Sequence, residues 1–191
     1  MNKNDIVSFA VHESLDIAKY LSDIKDEDTI DFIDQIMRAR RVFFGGAGRS
    51  LLSMKMFAMR LMQLGLETYL AGEVCTPGLR DGDLFIAATC SGTTEITCMQ
   101  ARKARSAGAQ LAIITSGPDN CDADCLVRFP DPYKFQESWT GDTEEDRTIK
   151  RSPKSLFESA LLLYTDSIVE YLKDAFHMSH SDMHKNHANL E

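Results

Sequence analysis

The feature that most constrains the fold is an alternation, beginning at Arg41, of short apolar runs with longer stretches of helical periodicity. Each apolar run ends in glycine or a polar residue and is followed by a helical pattern, as residues 42–45 are followed by residues 50–64. Short buried strands separated by helices are typical of βαβ units, whose strands lie parallel in one sheet. The pattern therefore predicts an α/β fold with a doubly wound parallel sheet.

The alternation gives five strands and the helices between them. Strands are predicted at residues 42–45, 68–71, 84–89, 111–115 and 125–129, and helices at residues 50–64 and 94–107. Gly108 follows the second helix at the position where a left-handed residue commonly ends a helix. We therefore expect a five-stranded parallel sheet flanked by helices.

The segments before and after this βα core have different sequence patterns. Residues 1–40 carry apolar side chains at helical intervals and are predicted to form two amphipathic helices that pack against the sheet or a partner subunit. Pro153 suits the start of a long core helix, which a polar tail follows. We expect one domain over residues 1–191, with leading helices at 1–40, a βα core at 41–130, an exposed loop at 131–152, and a C-terminal helix and tail at 153–191.

The charge balance excludes several classes of partner. The chain has 21 Lys and Arg against 29 Asp and Glu, a formal net charge of -8, which argues against nucleic acid and against an anionic membrane surface. It contains no signal-peptide pattern and no run of about 18 apolar residues, so we expect a cytoplasmic protein. A phosphorylated ligand would have to be held by local backbone N–H groups, hydroxyls and a few basic side chains.

The cysteines and histidines do not predict a metal centre. The five cysteines lack CxxC spacing, and Cys121 and Cys125 would need two further ligands to bind zinc, so small buried thiols are expected instead. His180, His184 and His187 stand close together in the tail, where a polar surface face is the favoured interpretation. We expect no disulfide and no metal.

Two loops carry the pattern of a ligand site. Residues 45–50 and 89–94 each join a predicted strand directly to a helix, and parallel sheets bind ligands outside the carboxyl ends of their strands. The first loop has Leu51 where a dinucleotide fingerprint needs its third glycine and lacks the Gly-Lys-Ser/Thr ending of an ATP loop. The hydroxyls suit a phosphate monoester, with Ser50, Thr89, Ser91 and Thr94 as donors.

An ordinary structural role also explains these residues, because Gly, Ser and Thr are common turn and N-cap residues in any α/β fold. For either loop alone the two interpretations are evenly balanced. Their coincidence after two strands of one sheet favours ligand binding.

Several segments resemble the sugar isomerase (SIS) family, and within it the 6-phospho-3-hexuloisomerases. The similar segments are Gly46-Ala47-Gly48-Arg49-Ser50, Phe57-Ala58-Met59-Arg60-Leu61-Met62, Leu64-Gly65, Gly72-Glu73, Thr76-Pro77 and the last five residues, His187-Ala188-Asn189-Leu190-Glu191. The resemblance covers residues 42–129 and 153–191. It implies a flavodoxin-like fold, a homo-oligomer (tetramer or dimer), and interconversion of 3-hexulose 6-phosphate and fructose 6-phosphate without a cofactor.

The resemblance also implies roles for particular residues. Ser50, Ser91 and Thr94, with Gly48, Arg49, Thr89 and Thr93 beside them, would bind the phosphorylated substrate. Glu158 matches the family's glutamate in the context Pro153-x-x-x-Phe157-Glu158 and would be the base, although a helix-start acid is its ordinary role. His187 would move protons between the sugar oxygens, reaching a neighbouring subunit's site. Arg49 would contact sugar hydroxyls or phosphate, or pair with an acid such as Glu73.

The sequence departs from the family pattern at two places. The second loop, Ser-Gly-Ser-Gly-Glu-Thr in the family, reads Thr89-Cys90-Ser91-Gly92-Thr93-Thr94, and Lys154-Ser155 replaces a glycine-containing segment before the glutamate. The phosphate donors survive these changes, but a carboxylate is lost. Two alternatives therefore stay open, a non-catalytic sugar-phosphate-binding protein and an isomerase of another phosphorylated sugar.

Overall fold

The computed structural model describes residues 6–138 and 152–189. In chain order the elements are α1 Ile6–Leu21, α2 Asp26–Arg38, β1 Arg41–Gly46, α3 Gly48–Gln63, β2 Thr68–Leu70, β3 Asp83–Thr89, α4 Glu95–Ser106, β4 Gln110–Thr115, β5 Cys125–Arg128, α5 Pro132–Ser138, α6 Pro153–Ala175 and α7 His180–Lys185. The five strands and the two helices between them lie within two residues of their predicted bounds. The α/β prediction is confirmed.

All strand pairs are parallel, and the sheet order is β2-β1-β3-β4-β5. From β1 the chain moves outward to β2 and then crosses back to form β3 on the other side of β1. Gly46 pairs with Ala88, so β1 and β3 end side by side at one edge of the sheet. In an open sheet of this order, the switch point between β1 and β3 is where a crevice forms.

The two faces of the sheet are covered unequally. One face packs against α1, α2, α3 and α6, and its core includes a chain of aromatic rings in which Phe57 contacts both Phe32 and Phe44. The other face, which includes Phe43 and Phe85, packs against α4. Side chains alternate between these two clusters along β1 and β3, as the period of two in a strand requires. The helices that flank the candidate site are therefore fixed by a large apolar core.

Part of the segment predicted as a loop is helical. Residues 132–138 form α5, because Asp131 accepts hydrogen bonds from the backbone N–H groups of Tyr133 and Lys134, as an N-cap does. Phe135 is buried against the ring of Tyr20 on α1, which anchors the helix. The prediction of a loop from residue 131 is thus wrong at its start, and residues 139–151 lie outside the described residues.

The C-terminal part follows its prediction more closely. Pro153 stands at the start of α6, as expected, and α6 runs for 23 residues through the core. The polar tail contains α7, which Ser179 and Asp182 begin with reciprocal capping hydrogen bonds. None of the helices in residues 6–138 and 152–189 is both long enough and apolar enough to cross a membrane.

Candidate active site

The candidate site lies at the switch point of the sheet. The loops that follow β1 and β3 begin close together, because Gly46 pairs with Ala88 near the ends of the two strands, and each loop leads into a helix. The structure therefore brings the two predicted loops to the same edge. Nothing in either loop's own sequence required this, because it depends on the crossover that places β3 beside β1.

The first loop lets its backbone approach a ligand. A Cβ atom on Gly46 would lie 3.3 Å from the carbonyl oxygen of Ala88, so the residue allows the loops to pack closely. Gly48 has a φ of +55° and open space around the position of a Cβ atom. Ser50 lies in the first turn of α3 with 7% of its surface exposed. These residues offer N–H groups and a hydroxyl at a helix N-terminus.

The second loop holds a cluster of four hydroxyls. Thr89 Oγ1 and Thr94 Oγ1 are 3.0 Å apart, Ser91 Oγ lies 3.5 Å from Thr94 Oγ1, and Thr93 Oγ1 donates to Ser91 Oγ over 3.1 Å. Each hydroxyl can turn its proton towards an acceptor. The cluster can therefore redirect several donors to the oxygens of one phosphate.

The ordinary capping role does not account for this cluster. Thr94 is the N-cap residue of α4, yet within the described part of the chain its side chain makes no capping hydrogen bond to the helix. Ser91 Oγ instead accepts from the backbone N–H of Thr93 over 3.3 Å. The N–H groups in the first turn of α4 thus point to the same region as the hydroxyls, which favours an anion.

A third loop, after β4, clamps the hydroxyl cluster. A Cβ atom on Gly117 would lie 2.1 Å from the carbonyl oxygen of Ser91, and one on Gly92 would lie 2.2 Å from that of Pro118. Gly92 O also accepts hydrogen bonds from Asn120 Nδ2, at 3.0 Å, and from the thiol of Cys98. Sequence reasoning missed this support. Its signal was the turn pattern Thr115-Ser116-Gly117-Pro118 directly after a buried strand.

Helix α6 brings Glu158 to the first loop. Arg49 Nε donates to Glu158 Oε2, and Ser53 Oγ on α3 donates to the backbone oxygen of Glu158 over 3.3 Å. Only 13% of the Glu158 side chain is exposed, whereas 63% of the Arg49 side chain is exposed. The suggested partner Glu73 is wrong for Arg49, because Glu73 pairs with Lys55 at 3.1 Å.

Cys90 lies between the hydroxyl cluster and α6. Its half-buried thiol lies near Ser116, and burial, followed by the nearby charge of Glu158, raises the pKa of the Cys90 thiol to about 11. Ser116 Oγ shares a 2.9 Å hydrogen bond with Tyr20 OH, which donates to Pro130 O over 2.6 Å. The leading helix α1, expected only to pack, thus contributes Tyr20 as a buried support behind Ser116.

The structure does not bring His187 to Glu158 of the same chain. His187 lines a groove with Arg60, Gln63 and Glu170, at the C-terminal ends of α3 and α6. Glu170 stands 12 residues after Glu158 on one helix, which corresponds to about 18 Å. A joint role for His187 and Glu158 therefore requires two subunits and stays a prediction.

The described residues offer no metal centre. Within residues 6–138 and 152–189, no group of three or more His, Cys, Asp or Glu side chains could hold a metal ion. All five cysteines are free thiols, and Cys121 and Cys125 lie buried. The polar groups at the switch point are instead hydroxyls, backbone N–H groups, a guanidinium and a carboxylate.

The parallel sheet of order β2-β1-β3-β4-β5, with a hydroxyl-rich loop and a carboxylate at its switch point, is a fold that the chain shares with sugar isomerases (SIS). The crystal structure of a Methanococcus jannaschii protein, for which a 3-hexulose-6-phosphate isomerase function is inferred, is similar to the chain with a TM-score of 0.75 and 26% identity. That match covers 98% of this chain and 99% of the other.

Named relatives show which family of sugar isomerases the chain belongs to. The 3-hexulose-6-phosphate isomerase of Bacillus subtilis is 34% identical over 194 residues, a match that covers the whole of both chains. That of Mycobacterium gastri is 37% identical over 191 residues, covering 92% of each chain. No protein-family model matches the chain. The chain belongs to the family of 3-hexulose-6-phosphate isomerases.

Proposed function

We propose that this protein is an isomerase that interconverts 3-hexulose 6-phosphate and fructose 6-phosphate through a cis-enediol. The observation that carries the proposal is the convergence of a hydroxyl cluster and Glu158 at one switch point. The hydroxyl cluster can hold a phosphate, and Glu158 can move a carbon-bound proton. The names of the full-length relatives support this substrate pair.

The phosphate is assigned to the two helix N-termini at the switch point. Ser50, Ser91 and Thr94 donate to its oxygens, with Thr89 and Thr93 holding the cluster in place. Backbone N–H groups at Gly48 and in the first turn of α4 add partial positive charge. Local donors of this kind are needed because the chain as a whole carries a net charge of -8 and repels an anion.

The chemistry consists of proton transfers alone. Glu158 takes the proton from C2 of 3-hexulose 6-phosphate, the electron pair forms the C2–C3 double bond, and the C3 carbonyl oxygen gains a proton to give the enediol. Glu158 then returns its proton to C3 while the C2 hydroxyl loses one and becomes the carbonyl of fructose 6-phosphate. Protons and electrons balance without an oxidant or reductant.

Arg49 is assigned two tasks in this mechanism. Its ion pair with Oε2 orients the carboxylate. The other oxygen, Oε1, is the proposed acceptor of the carbon-bound proton. Because the Arg49 side chain is largely exposed, its remaining N–H groups can also meet a sugar oxygen that gains negative charge.

The relay of protons between the oxygens is assigned to His187 of a neighbouring subunit. Unpartnered apolar side chains support an assembly of this kind: Ile6, Val7, Val11 and Leu15 on α1, and Leu52, Met56 and Met59 on α3, are exposed. We therefore propose a homo-oligomer, a dimer or a tetramer, that acts in the cytoplasm on a small sugar phosphate and not on nucleic acid or a membrane.

Product analysis tests the proposal. The purified protein is incubated with fructose 6-phosphate and separately with other hexose and pentose phosphates, and the products are separated and identified. Formation of 3-hexulose 6-phosphate from fructose 6-phosphate is expected. Turnover of a different sugar phosphate alone would contradict the substrate assignment. Thermal stabilisation by fructose 6-phosphate without any product would show a binding protein and contradict the enzyme assignment.

A further inference from the structure

The side chain of Cys90 lies next to both the hydroxyl cluster and Glu158. It follows Thr89 and precedes Ser91, two members of the hydroxyl cluster, and it packs partly against the large apolar core. The charges nearest to it include Glu158 and Lys154, which stand one turn apart on α6. The thiol therefore neighbours both the proposed phosphate anchor and the proposed base.

Hydrogen bonds fix the group beside this side chain. The thiol lies near Ser116, whose hydroxyl bonds to Tyr20 OH, and Tyr20 OH donates to Pro130 O. Tyr20 is fully buried and contacts the rings of Phe129 and Phe135 edge to face. Ser116, the group beside the thiol, is thus anchored to the core through Tyr20.

The chemistry of the thiol favours a steric role. Burial beside the carboxylate of Glu158 raises the pKa of Cys90, so the side chain is a neutral S–H at physiological pH. A neutral thiol is a weak nucleophile and a weak hydrogen-bond donor, and it behaves mainly as a small apolar group. Its contribution to a polar site is therefore the space that it fills.

We propose that Cys90 is a specificity-determining residue, which limits the length of sugar phosphate that fits between the hydroxyl cluster and Glu158, and that Ser116 and Tyr20 position its side chain for this task. The inference rests on the proposed function. A ketose phosphate with one more carbon between its carbonyl and its phosphate has to place that carbon where the thiol lies. Glycine or alanine at this position would open that space.

The test compares fructose 6-phosphate with sedoheptulose 7-phosphate, a 2-ketose phosphate that is one carbon longer. In Cys90→Ala and Cys90→Gly, the ratio of kcat/KM for the longer to the shorter substrate is expected to rise about 10-fold or more, mainly through KM. Cys90→Ser, which keeps a side chain of similar size, should stay within about 3-fold of the wild type. Cys121→Ala, a buried thiol on the opposite face of the sheet, is the matched control and should leave the ratio unchanged.

Tyr20→Phe tests the positioning part, because it removes the hydroxyl that holds Ser116 and keeps the buried ring. It should shift the same ratio in the same direction, by less than Cys90→Ala does. An unchanged ratio in Cys90→Ala and Cys90→Gly would overturn the inference, and so would an equal loss of activity towards both substrates.

Binding separates this inference from the proposed function. The rise in melting temperature with each sugar phosphate is measured for the wild type and for Cys90→Ala. If the wild type turns over neither substrate but binds the shorter one selectively, and Cys90→Ala loses that selectivity, the isomerase assignment fails and the inference stands. If the wild type binds neither, both fail.

Discussion

Glu158 is a carboxylate in a sheltered position with the guanidinium of Arg49 beside it. Its side chain is 13% exposed, and Arg49 reaches it from the first turn of α3. A helix-start acid that served only the helix dipole would have no need of this partner. The contact between Arg49 on α3 and Glu158 on α6 thus makes Glu158 a candidate base.

Replacing the carboxylate tests its role. Glu158→Gln keeps the size of the side chain and removes the base, so kcat should fall by about 10²–10⁴-fold while substrate binding stays nearly unchanged. Steady-state kinetics and titration of fructose 6-phosphate against the variant measure the two effects. Glu67→Gln, an exposed residue just before β2 at the opposite edge of the sheet, is the control. A loss of binding with kcat preserved would contradict the assignment.

The clamp on the hydroxyl cluster depends on two residues without side chains, Gly92 and Gly117. In Gly117→Ala the new Cβ atom would meet the carbonyl oxygen of Ser91 at 2.1 Å, so the loop has to move. We expect KM for the sugar phosphate to rise about 10-fold or more, because misplaced donors lose the phosphate. Gly78→Ala, where nothing lies within 4 Å of the new atom, should leave KM unchanged. Equal KM values for the two variants would exclude the clamp.

At the scale of elements, α3 couples the core to the site. Its first turn carries Ser50, and its buried face carries Phe57, whose ring lies 5.7 Å from that of Phe44 on β1 and 6.3 Å from that of Phe32 on α2. Apolar packing therefore sets where the site residues stand. A loss of packing here is expected to reach the site as well as the stability.

Truncating this ring gives a stability prediction. Phe57→Ala should lower the free energy of unfolding by about 3–5 kcal/mol, because it removes buried apolar contacts and leaves a cavity. Urea unfolding followed by far-UV circular dichroism measures the change. Lys103→Ala, at an exposed position of α4, should stay within about 0.5 kcal/mol of the wild type. A loss below about 1 kcal/mol for Phe57→Ala would contradict the packing described here.

Local pattern was enough to predict the strands and the long helices, because burial in a parallel sheet imposes apolar runs that the sequence displays. It was also enough to choose the hydroxyl loops. It missed α5, although Asp131 followed by Pro132 is an ordinary helix start. It could not find Tyr20 as the support behind Ser116, because that role depends on a hydrogen bond to Ser116, 96 residues further along.

At the scale of the whole molecule, buried thiols and phenols make the free energy of unfolding fall at alkaline pH. Burial raises the pKa of Cys90 and Cys121 to about 11, and it also raises the pKa of Cys125, Tyr20 and Tyr164. In the unfolded chain a thiol titrates near pH 9, so between about 9 and 11 the unfolded state binds fewer protons than the folded state. Stability contributed by these groups is complete below pH 9 and is lost as the pH rises.

We therefore expect the free energy of unfolding to fall as the pH rises from about 9 to about 11. Urea unfolding at several pH values under reducing conditions measures the slope. Cys125→Ala removes one of the buried thiols and should make the decline less steep. A flat profile, or an unchanged slope in the variant, would contradict the assignment of these groups.

The assembly can be tested through the site that it is proposed to complete. Glu158→Gln and His187→Ala are each expected to be nearly inactive, but a mixed oligomer contains sites with an intact Glu158 from one chain and an intact His187 from the other. For dimers that exchange subunits at random, about a quarter of the wild-type activity should return on mixing. No recovery, despite subunit exchange shown by native mass spectrometry, would exclude the shared site.

Deuterium exchange tests the isomerase chemistry most directly. The protein is incubated with fructose 6-phosphate in deuterated water, and nuclear magnetic resonance follows deuterium at C3 of the remaining substrate together with the appearance of 3-hexulose 6-phosphate. The enediol mechanism predicts both signals in the wild type and their loss in Glu158→Gln. If neither signal appears while the same ligand raises the melting temperature, the protein binds the sugar phosphate without isomerising it.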